Sequence, residues 1–100
     1  MKRTNEVVGE AEALMEIGRI CRERGAGRTV YCLFREAADG NRFRIRVTDD
    51  SACEEGEVFG NLSCVTALFE RIAKGEVPPY ILHEILEDYN RENALDLVNI

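Results

Sequence analysis

SCVTALFERIAKGEVPPYILHEILEDY, residues 63–89, is the stretch whose reading decides the fold of this chain. Val65, Leu68, Phe69 and Ile72 recur at i, i+3, i+4 and i+7, one stripe of a helix. Ile81, Leu82, Ile85, Leu86 and Tyr89 form a second stripe. Between them stands Gly75-Glu76-Val77-Pro78-Pro79, a break. Gly75 suits the end of the first helix. The prolines suit the first turn of the second, where a missing N–H costs nothing. Ser63 is placed to cap the first helix with its hydroxyl. Two helices that are apolar on one side need a surface to cover, and the residues before them supply a sheet.

Working backwards, Glu57-Val58-Phe59-Gly60-Asn61-Leu62 reads as a short strand after a polar loop over residues 49–55. Arg42-Phe43-Arg44-Ile45-Arg46-Val47 alternates without a fault, the period of a half-buried strand. Thr29-Val30-Tyr31-Cys32-Leu33-Phe34 is β-branched and aromatic, hence a strand. Asp39-Gly40 between these two is a strong hairpin signal. A two-residue loop there puts Phe34 opposite Ile45 and Cys32 opposite Val47 on the apolar face. On the other face it puts Arg35 opposite Arg44, Leu33 opposite Arg46 and Tyr31 opposite Thr48. Directly opposed arginines are unfavourable.

Residues 12–23 carry conflicting signals. Glu10-Ala11-Glu12-Ala13-Leu14-Met15-Glu16 favours helix, whereas Gly9 and Gly18 weaken one and Gly25-Ala26-Gly27 looks like a hairpin loop. The punctuation favours a strand over residues 14–22. A three-residue loop would set Cys21 opposite Tyr31; an Ala26-Gly27 loop would set it opposite Cys32. The expected fold is therefore α+β, a four-stranded antiparallel meander followed by two C-terminal helices packed on one face. The whole is one domain of 100 residues. Residues 1–11 read as a loose arm, 14–62 as strands and 63–91 as helices. Residues 92–100 read as an apolar tail too short to stand alone as a helix.

The order Tyr31-Cys32-Leu33-Phe34, alternating strand, Leu62-Ser63, Val77-Pro78-Pro79-Tyr80-Ile81-Leu82 and Ile85-Leu86-Glu87-Asp88-Tyr89 resembles a family of small uncharacterised proteins of Gram-positive, clostridia-like bacteria. The resemblance covers about residues 14–89. It implies a strand meander followed by two helices, and with it a strand over residues 14–22. It implies no activity. Pro78 stands where the family varies, and the tail is longer than the family's.

Composition narrows function. Hydrophobic residues are 45% and charged residues 32%, ordinary for a globular domain. No apolar run approaches the ~20 residues that span a bilayer. The charged start, Met1-Lys2-Arg3-Thr4-Asn5-Glu6, has no apolar secretory core after it, which points to the cytoplasm and away from membranes. Net charge is −6, unevenly placed. Residues 1–48 hold 10 Lys+Arg against 7 Asp+Glu (+3); residues 49–100 hold 3 against 12 (−9).

Chemical motifs are sparse. Cys21, Cys32, Cys53 and Cys64 lack the close spacing of zinc knuckles, and cytosolic thiols are reduced. A mixed metal site from Cys53, Cys64 and His83, or a Cys64–His83 catalytic dyad, is the most that the single histidine allows. No cofactor motif is present, and the expectation is a non-enzymatic protein-interaction or regulatory module. Its expected surface is Arg35, Arg42, Arg44 and Arg46 with Tyr31 and Leu33 between them. Arg19 and Ile17 join that surface if the first hairpin turns about Ala26. Such a face suits self-association into a dimer, with Glu84, Glu87 and Asp88 as the acidic counter-surface, or an acidic protein partner. Single-stranded nucleic acid is the alternative partner.

Overall fold

The computed structural model describes residues 14–37 and 40–98, with side chains up to residue 93. Four strands, β1 (Leu14–Arg24), β2 (Gly27–Glu36), β3 (Arg42–Thr48) and β4 (Cys53–Phe59), precede helices α1 (Leu62–Lys74) and α2 (Pro79–Val98). The strands form one antiparallel meander in the order β1-β2-β3-β4, and both helices lie on one face of it. The α+β architecture and the strand at residues 14–22 are as the sequence indicates. The expected arm over residues 1–11 lies outside the described residues.

The β1–β2 turn takes neither expected form. Its two loop residues are Gly25 and Ala26, with Arg24 paired to Gly27 and Cys21 opposite Val30. Gly25 has φ +58°, the positive angle that a type II′ hairpin demands at its first central residue. Ladder and turn geometry thus place the positive φ at Gly25, where a residue without a Cβ adopts it freely. Near its start β1 slips by one residue at Ile17.

The β2–β3 register also differs from expectation, by one residue. Leu33 pairs with Ile45, Tyr31 with Val47, Phe34 with Arg44, and Arg35 with Phe43. β2 ends at Glu36 and β3 begins at Arg42, and Asp39 of the expected two-residue turn lies outside the described residues. A one-residue slip turns every side chain of a strand to the other face. Tyr31 and Leu33 therefore face the helices with Phe43, Ile45 and Val47. Cys32 and Phe34 face the opposite, open side. Arg35 and Arg44 are not opposed.

The core is one cluster under the two helices. Val65, Leu68, Phe69, Ile72 and Ala73 of α1 meet Leu82 and Leu86 of α2 and the inner sheet face, with Ile85 and Tyr89 at its margin. Phe34 is buried but outside this cluster. Helix α1 lies over β1 and β2, and α2 over β3 and β4. Two glycines allow that approach. A Cβ on Gly18 would stand 3.1 Å from Phe69 Cε2, and one on Gly56 would stand 2.6 Å from Leu86 Cδ1.

The helix ends refine the expected signals. The cap of α1 is Asn61, whose side chain accepts from the Cys64 N–H at 2.9 Å; Ser63 is already inside the helix. At the other end Gly75 is right-handed, and the residue with positive φ is Glu76 (φ +55°). Its N–H donates to Ala73 O and the Val77 N–H donates to Ile72 O, the paired closure of a helix C-terminus. The tail expected over residues 92–100 is, up to Val98, the continuation of α2. Seven residues cannot nucleate a helix alone, but they can extend one already formed. The expected fourth strand begins earlier, at Cys53, because Asp49 closes the preceding turn by accepting from the Ser51 and Ala52 N–H groups.

Candidate functional site

Three surfaces compete for a role: the open sheet face, the clefts beside the helices, and the two sheet edges.

The open face carries Arg42, Arg44 and Arg46 from β3. The alternation that read as a half-buried strand puts all three there. Each is neutralised within the sheet. Arg46 Nε donates to Glu55 Oε1 at 2.9 Å, and Arg44 reaches Glu55 at 3.3 Å and Glu57 at 3.7 Å. Arg42 stands 3.9 Å from Glu57 and 4.0 Å from Glu36. The guanidinium of Arg46 lies 4.7 Å over the Phe34 ring, and that of Arg42 lies 5.5 Å over Phe59. Long side chains thus roof a thin apolar strip with their stems and aromatic stacking.

The expected interaction surface is accordingly divided. Tyr31 and Leu33, at 0% and 1% exposure, are core residues on the other side of the sheet. The Tyr31 hydroxyl donates to Val77 O at 3.0 Å, tying β2 to the link between the helices. Burial raises its pKa above the ordinary phenol value. Arg35 also lies on the helix side, 5.7 Å over the Phe43 ring, with Nε donating to Gly40 O. Arg42, Arg44 and Arg46 stay together, but their partners come from β4 and the end of β2. Glu84, Glu87 and Asp88 are exposed on α2, and Asp88 binds Arg91 at 3.0 Å.

The cysteines and histidine are not assembled. All four thiols are free. Cys64 sits in the first turn of α1, next to Val65, which packs at Gly60; His83 packs beside Gly56. Those glycines are four positions apart along the chain, about 13 Å. His83 Nε2 instead lies 3.0 Å from Glu54 Oε1. Cys53 lies opposite Thr48, whose hydroxyl donates to its sulfur. Cys32 is buried on the open side, and desolvation raises its thiol pKa.

Two clefts lie beside β1. One of about 450 Å³ lies between β1 and α1, lined by Ile17, Gly18, Ile20, Leu33, Leu62 and Phe69, with Arg19, Arg35 and Glu70 at its rim. Of its lining Ile17 is 38% exposed and Leu62 43%, and Met15 of the same strand is 59% exposed. The other, about 300 Å³, lies at the β1–β2 turn. There the carboxylate of Glu76 accepts from Arg22 at 3.2 Å and lies 3.3 Å from Arg24.

The edges differ most. β4 is covered by α2. Asn90 Nδ2 donates to Glu57 O at 3.0 Å and its Oδ1 accepts from the Phe59 N–H at 3.1 Å, as a neighbouring strand would. Asn93 Nδ2 donates to Phe59 O at 3.0 Å. β1 spans 11 residues and has no strand or helix hydrogen-bonded along its outer edge among the described residues. On that strand Arg19 Nε and Nη2 chelate the Glu16 carboxylate at 2.9 and 3.0 Å, holding that carboxyl below its ordinary pKa.

No family model matches the chain, and no curated protein or solved structure gives a significant match. Among the described residues no helix is long and apolar enough to cross a membrane.

Asn90, Asn93 and Glu76 escaped the reading of the sequence. A signal for the asparagines exists: they continue the Leu82–Leu86 stripe at i+4 and i+7 from Leu86, polar amides where apolar residues were due. Glu76 carries no such mark, since the glycine before it looks like the cap.

Proposed function

We propose that this protein is a small non-enzymatic protein-interaction module whose docking element is the outer edge of β1. One observation carries the reading: the two edges of a single sheet are treated oppositely. Unpaired strand edges template pairing with other chains, and proteins blunt them with short strands, charge, proline or a covering element. Two asparagines of α2 do this for β4. β1 carries charges of both signs and a bulge at Ile17, but it has neither proline nor cover among the described residues, and it is the longest strand. Strand addition supplies affinity from main-chain hydrogen bonds, and neighbouring apolar pockets supply selectivity. The cleft against α1 and the exposed Met15, Ile17 and Leu62 are such neighbours.

The arginine face is the weaker candidate for a partner. Its charge is already matched by Glu36, Glu55 and Glu57, so neither an acidic protein nor nucleic-acid phosphate meets an unpaired cation there. A photo-crosslinking residue placed at Arg19 should yield protein adducts under native conditions, and a Cys21→Pro change should abolish them while the fold persists. Adducts from a probe at Glu84 on α2 but none from position 19 would refute the edge as the docking element.

A further inference from the structure

The partner that β1 fits can be read from β1 itself. The Gly25-Ala26 turn closes on Arg24 and Gly27 as a hydrogen-bonded pair. Along an antiparallel ladder such pairs alternate with pairs whose N–H and C=O groups point away. Glu23, Cys21 and Arg19 therefore direct their backbone groups to the outer edge. Their side chains share the open sheet face, since Arg19 lies opposite Cys32 and Cys21 opposite Val30.

A second copy can add to this edge only about a two-fold axis, because each strand is the other's template. The pleat requires facing residues to share a sheet face. Within the regular part of the strand, residues 18–24, few registers satisfy both conditions. An axis at Arg19, Arg22, Glu23 or Arg24 sets like charges directly opposite, which is unfavourable, and one at Gly18 pairs no more of this segment than Gly18 itself. An axis at Ile20 pairs no charges. An axis at Cys21 puts Arg19 opposite Glu23 twice. Building on the reading of β1 as the docking element, we propose that two copies of this chain pair antiparallel through residues 18–24 about a two-fold axis at Cys21. Their sheets become one continuous antiparallel sheet. Each Arg19 then lies between Glu16 of its own strand and Glu23 of its partner. The edges left at the ends of the joined sheet are the two β4 strands, which Asn90 and Asn93 already cap at Glu57 and Phe59. The assembly closes and does not propagate.

Charge exchange tests the register. Arg19→Glu and Glu23→Arg each replace two attractive facing pairs by two repulsive ones. By sedimentation each should raise the dimer dissociation constant about tenfold. Mixing the two variants should restore association, because every facing pair in the mixed dimer is again Glu against Arg. The double variant should recover it alone. Cys21→Pro, which removes the outward N–H at the axis without changing charge, should also abolish pairing. Circular dichroism confirms the fold of each. Amide exchange at Arg19, Cys21 and Glu23 should slow as protein concentration rises. A dimer indifferent to these changes overturns the pairing. A wild type that stays monomeric, with those amides exchanging freely, overturns self-pairing and leaves the edge available to a different protein. A monomer with those amides protected means that the chain's own residues occupy the edge, and both readings fall.

Discussion

Gly56→Ala measures how tightly α2 presses on β4. Gly56 faces Ile45 in the ladder, on the helix side of the sheet. The added methyl would stand 2.6 Å from Leu86 Cδ1 and 3.7 Å from His83 Nδ1. Carbon atoms in contact rest about 3.5–4.0 Å apart, so the overlap with Leu86 is about 1 Å. Leu86 is 3% exposed and belongs to the core cluster, so its side chain can yield only by repacking against core neighbours. Overpacking of this kind costs about 1–3 kcal/mol. Removing a glycine from a strand recovers about 0.5–1 kcal/mol of chain entropy. Overpacking wins, and the variant should lose about 1–2 kcal/mol, lowering the melting temperature by roughly 5–15 °C for a domain of this size. Leu86→Ala alone should cost about 2–5 kcal/mol. Because the clash and the cavity occupy one place, the double variant should be more stable than the sum of the two single losses by about 1 kcal/mol. Urea unfolding of the three variants supplies the cycle. A Gly56→Ala protein as stable as wild type, or more stable, would refute the close approach of α2 to the sheet.

Three further outcomes are expected. Asn90→Ala leaves Glu57 O and the Phe59 N–H to water, and should cost about 0.5–1.5 kcal/mol with faster amide exchange at Phe59; unchanged exchange there would deny that α2 covers this edge. At Glu76, whose φ is +55°, Gly removes the strain and the carboxylate together, whereas Ala removes only the carboxylate. Positive φ costs a side chain about 1 kcal/mol, so Glu76→Ala should be the least stable of the three in thermal melts. Native alkylation followed by mass measurement should label Cys21, Cys53 and Cys64 quickly and Cys32 only on unfolding. Cys32 is buried and its raised pKa leaves less thiolate near neutral pH, so both causes act in one direction.

The elements themselves were legible in the sequence. Periodicity placed α1 and the first half of α2, alternation placed β3, and the Gly-Ala-Gly punctuation outweighed helix propensity in β1. Each of these signals is local, carried by residues within a few positions of one another. Register was not legible, because β2 is apolar on both sides: Tyr31 and Leu33 alternate with Cys32 and Phe34. Either face could have been the core face by pattern alone. Only packing separates them. Tyr31 needs Val77 O for its hydroxyl, and Leu33 contributes to the core, whereas Phe34 is content beneath the Arg46 guanidinium. That choice moved Arg35 away from Arg44, buried Tyr31 and Leu33, and left the arginines of β3 facing the glutamates of β4. The bare edge of β1 and the asparagine cover on β4 are likewise properties of the assembled sheet. Which strand lies outermost, and what a helix more than thirty residues later lays across the other edge, depends on contacts that no stretch of the chain contains by itself.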